Sequence, residues 1–151
     1  MSTMADDGDN IPRPWFPAPE GRLIGRGHPA GDFLEAHDWR VLEHEPGRFR
    51  LEAHLLARVR NPRGHLFGGF TPTYIDLVAI RTVHTMLPGE YRGTSTVNMR
   101  VDYFEPVVDD RFILESRVIH SRGRNHLVEV VFKDLQGKLL VYSITTLRQR
   151  V

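Results

Sequence analysis

N-P-R-G-H-L-F-G-G-F-T-P-T-Y-I-D-L-V-A-I-R-T-V-H-T-M-L, residues 61–87, is a glycine-bearing loop followed by the one long helical pattern in the chain. Thr71 is a suitable N-cap, because its hydroxyl can accept from a free first-turn N–H, and Pro72 suits the first helical position, where no donor is lost. The spacing predicts a helix that starts near Thr71 and ends at Pro88-Gly89. Ile75, Leu77, Val78, Ala79, Ile80, Val83, Met86 and Leu87 cover most of its circumference, as expected of a helix enclosed by other structure. One carboxylate, Asp76, sits in this apolar run. A helix salt bridge would need a cation three or four positions away, and those positions hold Pro72, Thr73, Ala79 and Ile80. Asp76 is therefore either paired through tertiary contacts or held in a cleft for chemistry.

Outward from this helix the hydrophobic period changes to two. Upstream, after a Glu45-Pro46-Gly47 turn, Phe49, Leu51, Ala53 and Leu55 alternate with Arg50, Glu52, His54 and Leu56, a hairpin with one buried face. Downstream, Val97, Met99, Val101 and Tyr103 alternate with Asn98, Arg100, Asp102 and Phe104 until Pro106 closes the strand. Further strands are expected over Arg111–Ser121, Asn125–Lys133 and Lys138–Gln149, joined by the short loops S-R-G-R and D-L-Q-G. Consecutive antiparallel strands after a single helix mean an α+β fold, a five- to six-stranded sheet wrapped on one central helix. One helix cannot cover such a sheet, so edge pairing into a dimer is expected. Asp32-Phe-Leu-Glu35 has capping-box spacing and predicts a short helix to about His37. Residues 1–30 are polar, then rich in Pro and Gly, and predict a disordered start and an irregular arm pinned by Trp15 and Phe16; residues 31–151 form the single domain.

Composition narrows the function. A chain of 151 residues with 40% hydrophobic content can bury a core, and a net charge of +1 offers no electrostatic case for nucleic acid or membrane partners. Without cysteine there is no disulfide, thiolate nucleophile or cysteine metal site, which is compatible with a cytoplasmic location. No apolar run approaches the roughly 18 residues of a membrane helix, and the acidic N-terminus lacks the apolar region of an export signal. Eight histidines are present, but none has His-x-His, His-x3-His or His-Glu-x2-His spacing, so no metal is expected.

Asn61, Gly68, Gly69 and Asp76, spaced as Asn-x6-Gly-Gly with Asp eight residues after the first Gly, resemble the PaaI-like acyl-CoA thioesterases of the hotdog fold. T-V-N-M-R-V-D-Y-F-E-P-V, residues 96–107, is similar to that family's strand after the helix, and I-H-S-R-G-R, residues 119–124, to its next hairpin. The resemblance covers roughly residues 40–149, and Phe67 stands where the family usually has His. It implies hydrolysis of an acyl-CoA, with coenzyme A as part of the substrate and no other cofactor, by a homodimer or homotetramer whose site lies between subunits. Gly68 and Asp76 would come from opposite subunits.

The roles follow from thioester chemistry. Asp76 would be general base or nucleophile, and an apolar helix environment that raises a carboxylate toward neutrality serves either role. The Gly68 amide at the helix start would polarise the carbonyl, the missing side chain allowing close approach. The resemblance also implies that Asn61 holds the water or the carbonyl and that Thr96 orients the attacking water. His65, Phe67, Gly69 and Asn98 would line the substrate, and Arg122-Gly123-Arg124 would meet phosphates. On residues alone, Gly68-Gly69 can be only a tight turn, Asn61 a loop residue before Pro62, Thr96 an ordinary strand threonine, and the two arginines a solvated hairpin tip. Asp32-x4-His37 shares its spacing with hotdog enoyl hydratases without their intervening Asn-Pro, and helix capping explains it better. Two alternative functions stay open: a non-catalytic acyl-CoA or acyl-carrier binding protein, and a carrier-dependent thioesterase of a biosynthetic pathway. Phe67, Phe70 and Tyr74 near the loop-to-helix junction favour an aromatic or medium acyl group.

Overall fold

The computed structural model describes residues 18–87 and 93–150. Its elements are α1 (Pro29–Phe33), β1 (Arg40–Glu45), β2 (Arg48–His54), α2 (Thr71–His84), β3 (Thr94–Tyr103), β4 (Arg111–Arg122), β5 (Asn125–Lys133) and β6 (Leu139–Gln149). The strands form one antiparallel sheet in the order β1-β2-β4-β5-β6-β3, with α2 packed on it chiefly against β4 and β5. This is the expected α+β hotdog arrangement, with six strands.

The long helix starts one residue away from the predicted cap. Phe70 is the N-cap and gives no side-chain hydrogen bond, while Thr71 is the first helical residue and only 1% exposed. The loop ahead of it is itself a turn: Phe70 N–H donates to the Phe67 carbonyl at 2.9 Å and Thr71 N–H to the Gly68 carbonyl at 3.3 Å. Backbone carbonyls thus take the donors a hydroxyl would have satisfied. At the other end Met86 and Leu87 close tighter turns onto the Val83 and His84 carbonyls, both at 3.0 Å; Pro88-Gly89 lies outside the described residues.

Between helix and sheet the core is aromatic at its centre. Trp39 stacks on Tyr74, ring centroids 5.3 Å apart and planes 4° from parallel, and Phe112 stacks on Phe132 at 5.5 Å and 8°. Tyr74 is fully buried, and its hydroxyl donates to the His54 carbonyl at 2.8 Å, which removes the cost of enclosing a phenol. Burial also pushes the Tyr74 phenol above its ordinary range. Farther along the helix, buried Thr82 donates to the Val78 carbonyl and accepts from Ser116 of β4, each at 2.7 Å, so this buried hydroxyl pair is satisfied.

Two expectations about the N-terminal region change. The short helix starts three residues before Asp32, because Pro29 supplies a ready first turn and His28 caps it, Nδ1 accepting from Gly31 N–H at 3.0 Å. The Asp32 carboxylate instead accepts from Gly27 N–H, and Glu35, at a left-handed φ of 53°, breaks the helix before His37. In the arm, Leu23 and Ile24 are 1% exposed and share the core, and Arg22 bridges to Arg40 of β1. Trp15 and Phe16 lie outside the described residues.

β3 positions the site. It is an edge strand, paired only with β6 among the described residues, and its register slips between Thr96 and Asn98. Thr96 stands opposite Leu147, which is buried under the helix, whereas Asn98 stands opposite Thr146 on the other face. Val97, Tyr103 and Phe104 along this edge are each more than half exposed.

Candidate functional site

Two contacts tie β3 to the loop and helix that precede it. At its start, the Thr96 hydroxyl donates to Asp76 Oδ1. At its end, the Tyr103 hydroxyl donates to the Gly68 carbonyl at 2.8 Å, with its ring lying against Gly68. Asp76 is half-buried on α2, and among the described residues no cation pairs with it. Its hydrogen-bond partner among the described residues is the neutral Thr96 hydroxyl.

Asn61 organises the loop that leads to the glycines. Its side-chain oxygen accepts from Arg63 N–H at 2.9 Å and His65 N–H at 3.0 Å, and its own N–H donates to the His65 carbonyl at 2.7 Å. The amide oxygen is consumed in this Asx turn, and only the Asn61 NH2 remains for anything else. Leu66 and Phe67 then anchor the loop to Val107 and Val59 by backbone bonds of 2.9 and 2.8 Å.

Beyond Phe67 the chain turns so that two successive amides are free. Neither Gly68 N–H nor Gly69 N–H has an acceptor among the described residues, although the carbonyls on either side are occupied: Phe67 by Phe70 N–H, Gly68 by Thr71 N–H and the Tyr103 hydroxyl. In a trans peptide the N–H points opposite the carbonyl, so fixing those two carbonyls aims both N–H groups out of the loop. The Phe67 ring lies over Gly69, where an added Cβ would come within 2.9 Å of it, and packs edge-on against Phe70 at 5.8 Å. Phe67 therefore lies beside the free amides, with Phe70 packed against it. Tyr74 does not join them: it is in the core against Trp39, which corrects the reading that grouped all three around the acyl group.

The remaining predicted residues are distributed as follows. His65 is half-buried in the loop, its backbone committed to Asn61. Asn98 lies on the sheet face opposite Thr96, across the register slip. Gly123 and Arg124 form an exposed two-residue hairpin tip after Arg122, the last residue of β4, with Gly123 at a positive φ of 61° that a side chain would strain. Among the described residues no three acidic, histidine or cysteine side chains group as a metal site, and no helix is long and apolar enough to cross a membrane.

A family model described as the thioesterase superfamily matches residues 63–141, just over half of the 151-residue chain. The chain belongs to the thioesterase superfamily. The matched stretch runs from the glycine loop through β5 and into β6, and so contains Gly68, Gly69, Asp76, Thr96 and Tyr103. Among curated relatives, a Saccharolobus solfataricus protein named as a candidate esterase is 26% identical over 102 residues, 68% of this chain and 71% of that one. The PaaI protein of the Escherichia coli phenylacetic acid degradation operon superposes with a TM-score of 0.67 at 11% identity, over 80% of this chain and 88% of that one. A Streptococcus pneumoniae TIGR4 protein, crystallised as a hypothetical thioesterase with coenzyme A, gives 0.65 at 15% identity, over 76% and 89%. At these identities the likeness to the two structures is one of fold, and the PaaI-like resemblance read from the motifs fits it.

Tyr103 is the residue of this candidate site that sequence reasoning did not single out. It follows the strand alternation like any other residue, and its contact with Gly68 spans 35 positions.

Proposed function

We propose that the protein is an acyl-CoA thioesterase, with Asp76 as the base that activates water and the Gly68 and Gly69 amides as the donors that receive the carbonyl oxygen. The observation that carries this reading is Asp76 itself: a carboxylate on a largely buried helix, held by a hydroxyl and matched by no cation among the described residues. In the reaction, a water oxygen attacks the thioester carbon and gives its proton to Asp76. Negative charge then builds on the carbonyl oxygen, where two free N–H groups meet it, and collapse expels the thiolate, which takes up the proton. Because Thr96 occupies Oδ1, Oδ2 is the oxygen left for water. Phe67 has no ionisable proton to give or take, and its ring, packed against Phe70, shields the thioester from bulk solvent beside the amides.

One protomer is not sufficient for this arrangement. Asp76 stands five residues beyond Thr71 on the helix, a rise of about 7.5 Å, and the glycines precede Thr71. Asp76 must reach the attacking water and the amides the carbonyl oxygen of one thioester, and in the proposed assembly these ends come from two copies. An antiparallel pairing of two β3 edges would bring the Thr96 and Asp76 end of one strand beside the Tyr103 and Gly68 end of the other, and the exposed Val97, Tyr103 and Phe104 would be covered. The reading is therefore of a dimer with two sites, each built from both copies.

The experiment is free-thiol release from short, medium, long and aromatic acyl-CoA esters by the native protein and by Asp76→Asn. Turnover by the native protein that falls at least about a thousandfold in the variant, with assembly state and Tm kept, supports the reading. Binding of acyl-CoA without turnover by either protein would replace it with the non-catalytic binding function.

A further inference from the structure

The Gly68 carbonyl accepts twice, from Thr71 N–H at 3.3 Å and from the Tyr103 hydroxyl at 2.8 Å. The hydroxyl makes the short bond, whereas the Thr71 contact lies past the usual N–H···O range. One peptide earlier, the Phe67 carbonyl accepts from Phe70 N–H at 2.9 Å and from no side chain among the described residues. Of the two peptides that carry the free amides, Gly68–Gly69 is therefore the one held by a side chain.

That side chain is itself well fixed. Tyr103 closes β3 opposite Val141, and just past it Phe104 and Glu105 both donate their N–H groups to the Leu140 carbonyl at 3.0 Å, which pins the strand end. Val107 then accepts from Leu66 N–H at 2.9 Å, so residues 103–107 grip the glycine loop at two points, Leu66 and Gly68. The ring rests against Gly68, where an added Cβ would lie 3.7 Å from Cε2, and a phenylalanine would keep that packing while losing the hydroxyl alone. Tyr103 is nevertheless 54% exposed, and a phenol bonded to a carbonyl in reach of water adds little to stability. Its effect is to be sought in the peptide it holds.

We propose that Tyr103 is a positioning residue for the oxyanion donors, its hydroxyl orienting and polarising the Gly68–Gly69 peptide so that the Gly69 N–H meets the thioester oxygen. The inference rests on the thioesterase reading and deepens it. The N–H of a trans peptide points opposite its carbonyl, so a donor fixed at the Gly68 oxygen fixes the direction of the Gly69 N–H. A hydrogen bond accepted at that oxygen also draws electron density along the amide and strengthens the N–H as a donor, by about 10–30% per bond. Both effects are in place before charge develops, as electrostatic catalysis requires. The Gly68 N–H belongs to the preceding peptide and has backbone support alone. The two donors are thus unequal, and Gly69 is the one that depends on β3. Pairing of two β3 edges would cover Tyr103 and remove the competing water, so this donor reaches full strength in the assembled protein. Each site then draws Tyr103, Gly68 and Gly69 from one copy, and Thr96 with Asp76 from the other.

The test compares the native protein with Tyr103→Phe by two measurements. Thiol release from the best acyl-CoA ester gives kcat and KM. Nuclear magnetic resonance reads the peptide itself without turnover: Gly68-Gly69 is the one adjacent glycine pair in the 151-residue chain, so glycine labelled at both carbonyl carbon and amide nitrogen gives a single one-bond correlation, from the Gly68 carbonyl to the Gly69 amide. The expected result is that this signal moves when the hydroxyl is removed and that kcat falls about threefold to tenfold, with KM within about twofold of native and Tm and assembly state unchanged. A signal that stays in place would overturn the proposal, because the bond would be absent in solution. A signal that moves while kcat holds would also overturn it, because the Gly69 donor would not need the bond. A loss confined to KM, or accompanied by loss of assembly, would make Tyr103 a structural residue only and overturn its positioning role. If the native protein releases no thiol from any ester, the thioesterase reading fails and takes the inference with it. Turnover that Asp76→Asn abolishes and Tyr103→Phe leaves intact would remove the inference alone.

Discussion

Substituting Gly68 by Ala separates what the fold needs from what the chemistry needs. Gly68 does not occupy the positive-φ region, and a Cβ built on it would lie 3.7 Å from the nearest atom of the Tyr103 ring, an ordinary van der Waals contact. The fold therefore has room for alanine, and stability should hold within about 0.5 kcal/mol or rise slightly as the unfolded chain loses freedom. The methyl group would instead project beside the free amides, where the thioester oxygen must approach. If it holds that oxygen off, the loss should approach that of deleting one oxyanion donor, about 2.7–4 kcal/mol or 10²–10³ in kcat. The assay is kcat and KM on the best acyl-CoA ester, with Tm and assembly state measured on the same sample. A variant that folds normally and keeps kcat within about threefold of native would refute the assignment of the Gly68 amide.

Two further outcomes test the core and the helix end. Tyr74→Phe removes the donor to the His54 carbonyl while leaving the Trp39 stack in place, and should cost about 1–2 kcal/mol in a urea titration; a change below about 0.3 kcal/mol would mean that this carbonyl finds another donor. His84 is pushed down to about 3 from 6.5, first by burial and then by the Arg81 charge, so the folded chain refuses a proton that the unfolded chain accepts. Its stabilising contribution is complete above about pH 6.5 and should fall at up to about 1.4 kcal/mol per pH unit as pH drops toward 3. His84→Gln should flatten the profile between about pH 6.5 and 5, and identical slopes would exclude the effect.

The parts of the fold that were legible in the sequence are those whose signal is local. β4, β5 and β6 are strand-forming runs set off by short glycine-bearing loops, and their bounds fall within a residue of expectation. The isolation of Asp76 was legible for the same reason, because it depends only on what stands three and four residues away. Its partner Thr96 is twenty positions on, and residues alone left it an ordinary threonine. The slip at Val97 has no glycine to announce it, so alternation, which groups Asn98 correctly with Arg100 and Asp102, could not show that Thr96 turns to the helix face. The helix cap was misplaced for a related reason: turn carbonyls contributed by Phe67 and Gly68 did the work assigned to a hydroxyl.

The face-to-face seat of Trp39 on Tyr74 gives the molecule an optical gauge of its own. An indole sealed from water emits toward the blue, and its emission depends on the ring lying against it. Tyr74 is two residues from Asp76 on the same helix, so a tilt or slide of that helix must disturb the stack as it moves the carboxylate. With Trp15→Phe removing the other tryptophan, fluorescence would follow the seating of α2 in real time, without any attached label.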